Sequence, residues 1–138
     1  MPKIDIDVIP DVKPNIKIDE ALRNKFLNQV DEESQVIMHC SFTDTGYGHL
    51  LRVWKTTYLY SKDSSHKSKL IHVENITIAP NWMHVGGRET VNFTLIFSGL
   101  PKSCKHFDLI ENTPTMRGFL VKNIPRNNSD VYSVDVSN

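Results

Sequence analysis

The amino-acid sequence predicts a mostly β domain with the pattern of a sandwich. Its 138 residues include twelve Val and twelve Ile but only two Ala. Branched side chains crowd a helix and fit a pleated sheet, so this composition favours strands. From Gln35 onward, turn residues recur about every ten residues, a spacing typical of antiparallel sandwiches and barrels. We therefore divide the chain into an N-terminal arm with one short helix, residues 1–34, and a β-sandwich domain, residues 35–138.

The first 34 residues predict a short edge strand or docked arm, followed by a helix that Asp19 caps. Neither element is stable alone, because each must bury its apolar face on something larger. We predict that this segment mediates self-association or partner docking, with docking on its own domain as the alternative. The residues that carry the pattern are Ile4, Ile6, Val8, Pro10 and Pro14 in the arm, and Leu22, Phe26, Leu27 and Val30 in the helix.

Seven strands are predicted in the β domain, and the clearest is the segment 91–98. There Phe93, Leu95 and Phe97 share one face with Val91, which predicts core. The segment 44–48 contains two glycines and predicts the first turn. Between 70 and 79 the apolar positions change face, which predicts a β-bulge at position 74 or 75. The last strand is expected at an edge or beside the N-terminal arm. The predicted strands cover 35–43, 50–60, 70–79, 91–98, 107–111, 118–124 and 131–136.

Charge and composition exclude several classes of protein. Sixteen Lys and Arg balance sixteen Asp and Glu, so the formal net charge is zero and the isoelectric point is near 7.0. This balance lacks the electrostatic field that nonspecific binding to nucleic acid or anionic membranes requires, so neither is expected as a partner. No apolar run is long enough to span a bilayer, and the first ten residues lack the pattern of a secretory signal. We therefore expect a cytoplasmic protein.

The cysteines invite comparison with an immunoglobulin framework. Such domains place a core Trp after the first Cys and a second Cys further along, and Cys40, Trp54 and Cys104 follow this order. However, Cys104 lies in a polar loop and lacks the Tyr that the framework places two residues before it. We therefore predict a buried free Cys40 and an exposed free Cys104, with a disulfide as the less favoured alternative.

Motifs for metal binding, nucleotide binding or catalysis are weak. The histidines have no partner at ligand spacing, so no metal or other cofactor is expected. The glycines lack the lysine and the helix of a phosphate-binding loop. Asp108 and Glu111 are three residues apart, which would place them on opposite faces of one strand, and Asp108 is expected to bond the backbone of the preceding turn. His39 and His72 are predicted to lie on the solvent side of their strands. The remaining histidines are His49, His66, His84 and His106.

Aromatic residues give the strongest indication of a binding surface. On one strand from 50 to 60, Trp54, Tyr58 and Tyr60 would share a face with Arg52, and Trp82 lies in an adjoining loop. Flat rings mixed with hydrogen-bonding groups suit a sugar platform or a protein interface. Alternatively, Trp54 belongs to the core, since Trp is highly buried on average. The opposite face of this strand is not clearly better suited to burial.

Several segments between 50 and 111 resemble uncharacterised Bacteroidetes-type β-sandwich proteins. These segments are RVWKTTYL (52–59), VENITIAP (73–80), FTLIF (93–97) followed by GLP (99–101), and FDLIE (107–111). The resemblance covers about half of the chain and implies a bacterial, immunoglobulin-like fold, with FTLIF and FDLIE as two strands joined across one end. It implies no activity, cofactor or catalytic residue.

We therefore expect a non-enzymatic binding or assembly module whose partner is a protein. A carbohydrate-binding module that uses Trp54, Tyr58, Tyr60 and Trp82 is the alternative, and an exposed Trp54 would favour it. A hydrolase is the least favoured class, because acidic or histidine side chains from distant segments would have to converge in a cleft.

Overall fold

The computed structural model describes residues 34–114 and 118–137. These residues form nine strands and no helix, which confirms the mostly β class. The predicted arm and helix lie outside the described residues except for Ser34, so their structure and their role in self-association stay predictions. The strands are β1 (Gln35–Thr43), β2 (Gly48–Leu51), β3 (Thr57–Ser61), β4 (Lys67–Glu74), β5 (Met83–Gly86), β6 (Thr90–Ser98), β7 (His106–Glu111), β8 (Leu120–Pro125) and β9 (Val131–Asp135).

Seven of the strands form one sheet in the order β8-β7-β3-β4-β6-β1-β9, and β2 pairs with β5 in a second, small sheet. Every pair is antiparallel except β1 with β9, which run parallel. The final strand is therefore an edge strand beside β1. In the part of the chain that the structure describes, no helix has the length and apolarity needed to cross a membrane.

The core is built from the alternating faces of β1 and β6, as the sequence predicts. Val36 pairs with Phe97, and Cys40 pairs with Phe93, so buried side chains oppose one another in register. The sheet also curves, because the rings of Phe107 on β7 and Tyr132 on β9 lie only 5.0 Å apart although four strands separate β7 from β9. The largest fully buried side chains include Phe97, Phe107, Met38, Leu59, Leu95 and Leu109.

The predicted strand from 50 to 60 is wrong, because the chain leaves the extended path after β2. The Val53 N–H donates to the Thr77 carbonyl over 2.9 Å, and Val53 forms an isolated bridge with Ile78. Residues 55 and 56 then turn, and the Thr57 hydroxyl donates to the Trp54 carbonyl over 2.6 Å. The break replaces one long strand with β2, a bridge and β3. Alternation alone does not reveal it, since buried positions alternate with less buried ones on both sides of the turn.

Two further details of the predicted strands are corrected. The bulge lies between Leu70 and His72, where the register of β4 against β6 shifts, and not at Glu74 or Asn75. Asn75 instead has a φ of 64° and ends the strand. The short strand β5 was not predicted, because four residues that include the exposed His84 carry too little periodicity.

Candidate functional site

The guanidinium of Arg52 lies over two tryptophan rings. Its Cζ is 3.7 Å from the ring centroid of Trp82 and 4.9 Å from that of Trp54. Val53 points inward and is fully buried, so its neighbours Arg52 and Trp54 both point away from the core. The Arg52 Nη1 donates to the Pro80 carbonyl over 2.9 Å, which connects the stack to the segment before β5. We call Trp54, Arg52 and Trp82 the arginine stack.

The stack gives the site its rigidity. A cation over an aromatic face is attracted by the ring quadrupole, by about 0.5–1 kcal/mol where the pair is exposed. Arg52 makes this contact with two rings, while its Nε is buried and has no hydrogen-bond partner in the described chain. Trp82 remains half exposed, at 52%. One ring therefore stays accessible in a fixed orientation.

Glu111 is hydrogen-bonded to the backbone of the arginine stack. Its carboxylate is buried, and it accepts hydrogen bonds from the Trp54 N–H over 2.8 Å and from the Phe119 N–H over 2.9 Å. Burial raises the pKa of Glu111, while these N–H groups and the charge of Arg52 act against the rise. The side chain thus fixes two distant segments by backbone bonds rather than offering a free carboxylate to a substrate.

A cavity of about 510 Å³ opens beside the arginine stack. Its volume falls within the range of small-ligand and side-chain pockets. Leu50 and Trp82 lie on its wall and are about half exposed. The other wall residues include Phe42, Asp44, Arg52, Glu111 and Phe119.

The turn before β2 forms as predicted, and Asp44 holds it. The Asp44 Oδ2 accepts hydrogen bonds from the N–H groups of Gly46 and Gly48, and Gly48 has a φ of 126°. Burial raises the pKa of Asp44, but bonds from Arg88, Gly48 and Gly46 outweigh it and leave the pKa below its usual value. The ring of Tyr47 at the tip of this turn is fully exposed.

The predicted aromatic face is divided into two groups. The arginine stack lies at the cavity, whereas Tyr58 and Tyr60 lie on β3, beyond the turn at 55 and 56, and do not line it. Their rings contact each other edge-on at 6.0 Å, and Lys67 lies 4.3 Å from the Tyr58 centroid. The Tyr60 hydroxyl accepts from the Asn112 amide over 2.8 Å. Tyr58 and Tyr60 therefore form a second aromatic pair outside the lining of the cavity.

The alternative that Trp54 belongs to the core is not what the structure shows, because Trp54 is only partly buried. The expectation about the opposite face is also wrong, since its four residues are all buried. The sequence pattern did not distinguish the buried face of this segment from the exposed one. These residues are Leu51, Val53, Thr57 and Leu59.

Both cysteines are buried and free. The prediction for Cys40 is confirmed, and the predicted exposure of Cys104 is wrong.

Asp108 accepts a hydrogen bond from the Asn123 N–H over 2.8 Å, rather than from the preceding turn. His39 and His72 are exposed, as predicted. Across residues 34–114 and 118–137, no group of three or more His, Cys, Asp or Glu side chains could hold a metal ion.

Comparison with known proteins finds no match. Neither a family model, nor a curated protein, nor a solved structure matches this chain. The functional interpretation therefore depends on the residues themselves. Sequence reasoning selected Arg52, Trp54 and Trp82 but missed the part that Glu111 takes, because the bonds that join it to Trp54 cross 57 residues.

Proposed function

We propose that this protein is a non-enzymatic binding module whose partner is another protein. The observation that carries the proposal is a set of exposed side chains along the β2–β5 pair, of which Leu50 and Trp82 line the cavity. Tyr47, Leu50 and Trp82 are exposed there, and they account for half of the six exposed large hydrophobic residues in the described chain. We call these three residues the Trp82 surface.

The chemistry of the Trp82 surface supports a protein partner. Interface residues that contribute most to affinity are enriched in Trp, Tyr and Arg, and they act best when they are fixed before binding. Arg52 fixes Trp82 from one side, and the β2–β5 ladder fixes Leu50 opposite His84. The cavity beside them offers a recess for an apolar side chain of the partner.

We also propose that the domain has an immunoglobulin-like arrangement. Immunoglobulin constant-type domains order their strands A-B-E-D in one sheet and C-F-G in the other. With β1 as strand B, the strands β3, β4, β6, β7 and β8 take the places of C, D, E, F and G. The sheet then reads β9-B-E-D-C-F-G, in which β9 occupies the place of strand A but runs parallel to its neighbour. The β2–β5 pair that carries the Trp82 surface is an addition to this arrangement.

A carbohydrate ligand is the competing proposal, and one observation favours it. Arg52 lies over the Trp82 ring, and Trp82 is 52% exposed. The exposed part of the ring could serve as a stacking platform for a sugar. Tyr58 and Tyr60 do not line the cavity, which counts against a carbohydrate ligand, because Trp82 is then the one exposed Trp or Tyr ring at the site in the described chain. A protein partner accounts for Tyr47 and Leu50 as well.

The proposal is tested with the full chain and two matched variants. Trp82→Ala removes an exposed ring from the proposed surface, and Leu120→Ala removes an equally exposed side chain from β8, both being 52% exposed. Each form is immobilised, and captured proteins from the source cells are quantified by mass spectrometry. We expect a partner that the unchanged protein and the Leu120 variant retain and that the Trp82 variant loses.

Two results would contradict the protein-binding proposal. Equal capture by all three forms would show that the Trp82 surface does not bind the captured protein. Binding to a glycan array that Trp82→Ala abolishes, without any capture that depends on Trp82, would establish the carbohydrate alternative instead. Circular dichroism of the variants shows whether either substitution unfolds the domain.

A further inference from the structure

A cluster of lysines lies at one end of the seven-stranded sheet, away from the arginine stack. It belongs to the connection between β3 and β4, the start of β4, and the loop between β6 and β7. All four side chains are exposed. We call this cluster the lysine platform; its members are Lys62, Lys67, Lys69 and Lys105.

Hydrogen bonds hold the loops of the lysine platform together. The Lys62 N–H donates to the His106 carbonyl over 2.9 Å, and the Lys105 N–H donates to the Asp63 Oδ2 over 2.6 Å. The Arg126 N–H, in the loop between β8 and β9, donates to the Lys105 carbonyl over 2.8 Å. Hydrogen bonds therefore join the three loops. They hold the backbone at Lys62 and Lys105 in place.

The start of β4 is tied to the same surface. The Ser68 hydroxyl is buried and donates to the Gly99 carbonyl over 2.8 Å, and the Lys69 N–H donates to the Ser98 hydroxyl over 3.1 Å. Lys67 and Lys69 are two residues apart on a strand, so they project from the same face. The strand thus adds two positive charges to those of the loops.

The acidic groups of this region are already engaged. Asp63 accepts the Lys105 and His106 N–H groups, which lowers its pKa, together with the charges of those residues. Asp108 lies 3.5 Å from the Lys62 Nζ, and Asp130 pairs with Arg126. Among the described residues, four lysines and one arginine therefore accompany three aspartates, which leaves an excess of positive charge at this end.

The net charge of the whole chain conceals this excess. Residues 34–138 contain eleven Lys and Arg but eight Asp and Glu, whereas residues 1–33 contain five and eight. This part of the chain thus has three more basic than acidic residues, and five of its eleven Lys and Arg lie at this end of the sheet. A net charge of zero does not imply a uniformly neutral surface.

We propose that the lysine platform binds an acidic segment of a partner protein. A short acidic segment can form local ion pairs with these lysines. An extended polyanion is less favoured, because the neutral chain has little long-range field to attract it. Stacking of nucleic-acid bases is less suited, since Lys67 covers the Tyr58 ring and Tyr60 is edge-on to it. The proposal concerns a surface separate from Trp82 and goes beyond the proposed function.

The test uses the full chain and a fluorescein-labelled peptide of about eight glutamates, followed by fluorescence anisotropy at low salt, about 0.02 M. The triple variant Lys67→Gln/Lys69→Gln/Lys105→Gln removes three charges from the platform. The control variant Lys55→Gln/Arg88→Gln/Lys122→Gln removes three exposed charges elsewhere, so both variants have the same net charge. We expect the platform variant to bind the peptide about tenfold more weakly and the control to bind as the unchanged protein does.

Three results would overturn the proposal. The first is absence of peptide binding by the unchanged protein, and the second is an equal loss in both triple variants, which would indicate net charge rather than this surface. The third is tighter binding of a single-stranded oligonucleotide with the same number of charges, which would make nucleic acid the partner. Circular dichroism confirms that each variant is folded. Trp82→Ala should leave peptide binding unchanged, so failure here is separable from failure of the proposed function.

Discussion

Arg126 and Asp130 are joined by two parallel hydrogen bonds, from Nε to Oδ1 at 2.6 Å and from Nη2 to Oδ2 at 3.0 Å. The same guanidinium donates to the carbonyls of Pro101 and Cys104, at 2.7 and 3.2 Å. The hydrogen bond that Arg126 donates to Asp130 is the main reason why the pKa of Arg126 is raised. One side chain therefore connects the loop after β6 with the loop before β9, and with them the lysine platform.

Replacing Arg126 should destabilise the domain. Arg126→Ala removes both bonds to the Asp130 carboxylate and the bonds to three carbonyls, so we expect the free energy of unfolding to fall by about 2–3 kcal/mol. Arg126→Lys keeps the charge but cannot form both bonds to Asp130, and should lose part of that amount. Urea denaturation of the three proteins measures the difference. Equal midpoints would show that this pair does not stabilise the two loops.

Phe97 provides the sharpest test of the core. Its side chain is fully buried and pairs with Val36, so Phe97→Ala should lower the free energy of unfolding by about 3–5 kcal/mol. Its neighbour Ile96 is only partly buried on the other face, and Ile96→Ala serves as the control with a smaller expected loss. Thermal melting followed by circular dichroism compares them. A melting temperature for Phe97→Ala within a degree of the unchanged protein would contradict the register.

The sequence predicted β1 and β6 well because both follow a strict period of two, which a strand with one buried face imposes. It could not predict that β9 pairs with β1 in parallel, since strand order depends on contacts between distant segments. The arginine stack shows the same limit. Arg52 and Trp82 are thirty residues apart, and neither lies in a regular periodic segment, so their contact leaves no local pattern.

The cysteines illustrate how a polar context can mislead. Lys102 and Ser103 suggest a solvated loop around Cys104, yet its thiol donates to the His106 carbonyl over 3.2 Å and is 2% exposed. Burial raises the pKa of Cys40 to about 12, so its reactive thiolate is scarce at neutral pH.

The corrected burial predicts that the native protein reacts with neither thiol. In denaturant without reductant, both cysteines are free and should react with two equivalents of a thiol reagent. Ellman's assay with and without denaturant makes the measurement. One reactive thiol in the native protein would return Cys104 to the surface, and none in denaturant would indicate a disulfide.

Glu111 should make stability depend on pH above the range in which the aspartates act. Burial raises its pKa above 4.5 in the folded protein, so the folded state binds the proton more tightly than the unfolded chain. The stabilisation from that proton is complete below pH 4.5 and is lost as the pH rises through the raised pKa. Asp63 and Asp135 have lowered pKa values, because of hydrogen bonds from Lys105 and Ser137, and their contributions are lost only below 3.8.

Glu111→Gln isolates this effect, because the amide does not titrate. Its hydrogen bonding to Trp54 and Phe119 also changes, which shifts its stability by a constant amount, so only the slope with pH is informative. Urea denaturation between pH 7 and pH 4.5 should show the unchanged protein gaining stability relative to the variant as the pH falls. A difference in stability that stays constant with pH, or that moves against the unchanged protein on acidification, would contradict this prediction. It would show that burial does not disfavour the ionised form of the Glu111 carboxylate.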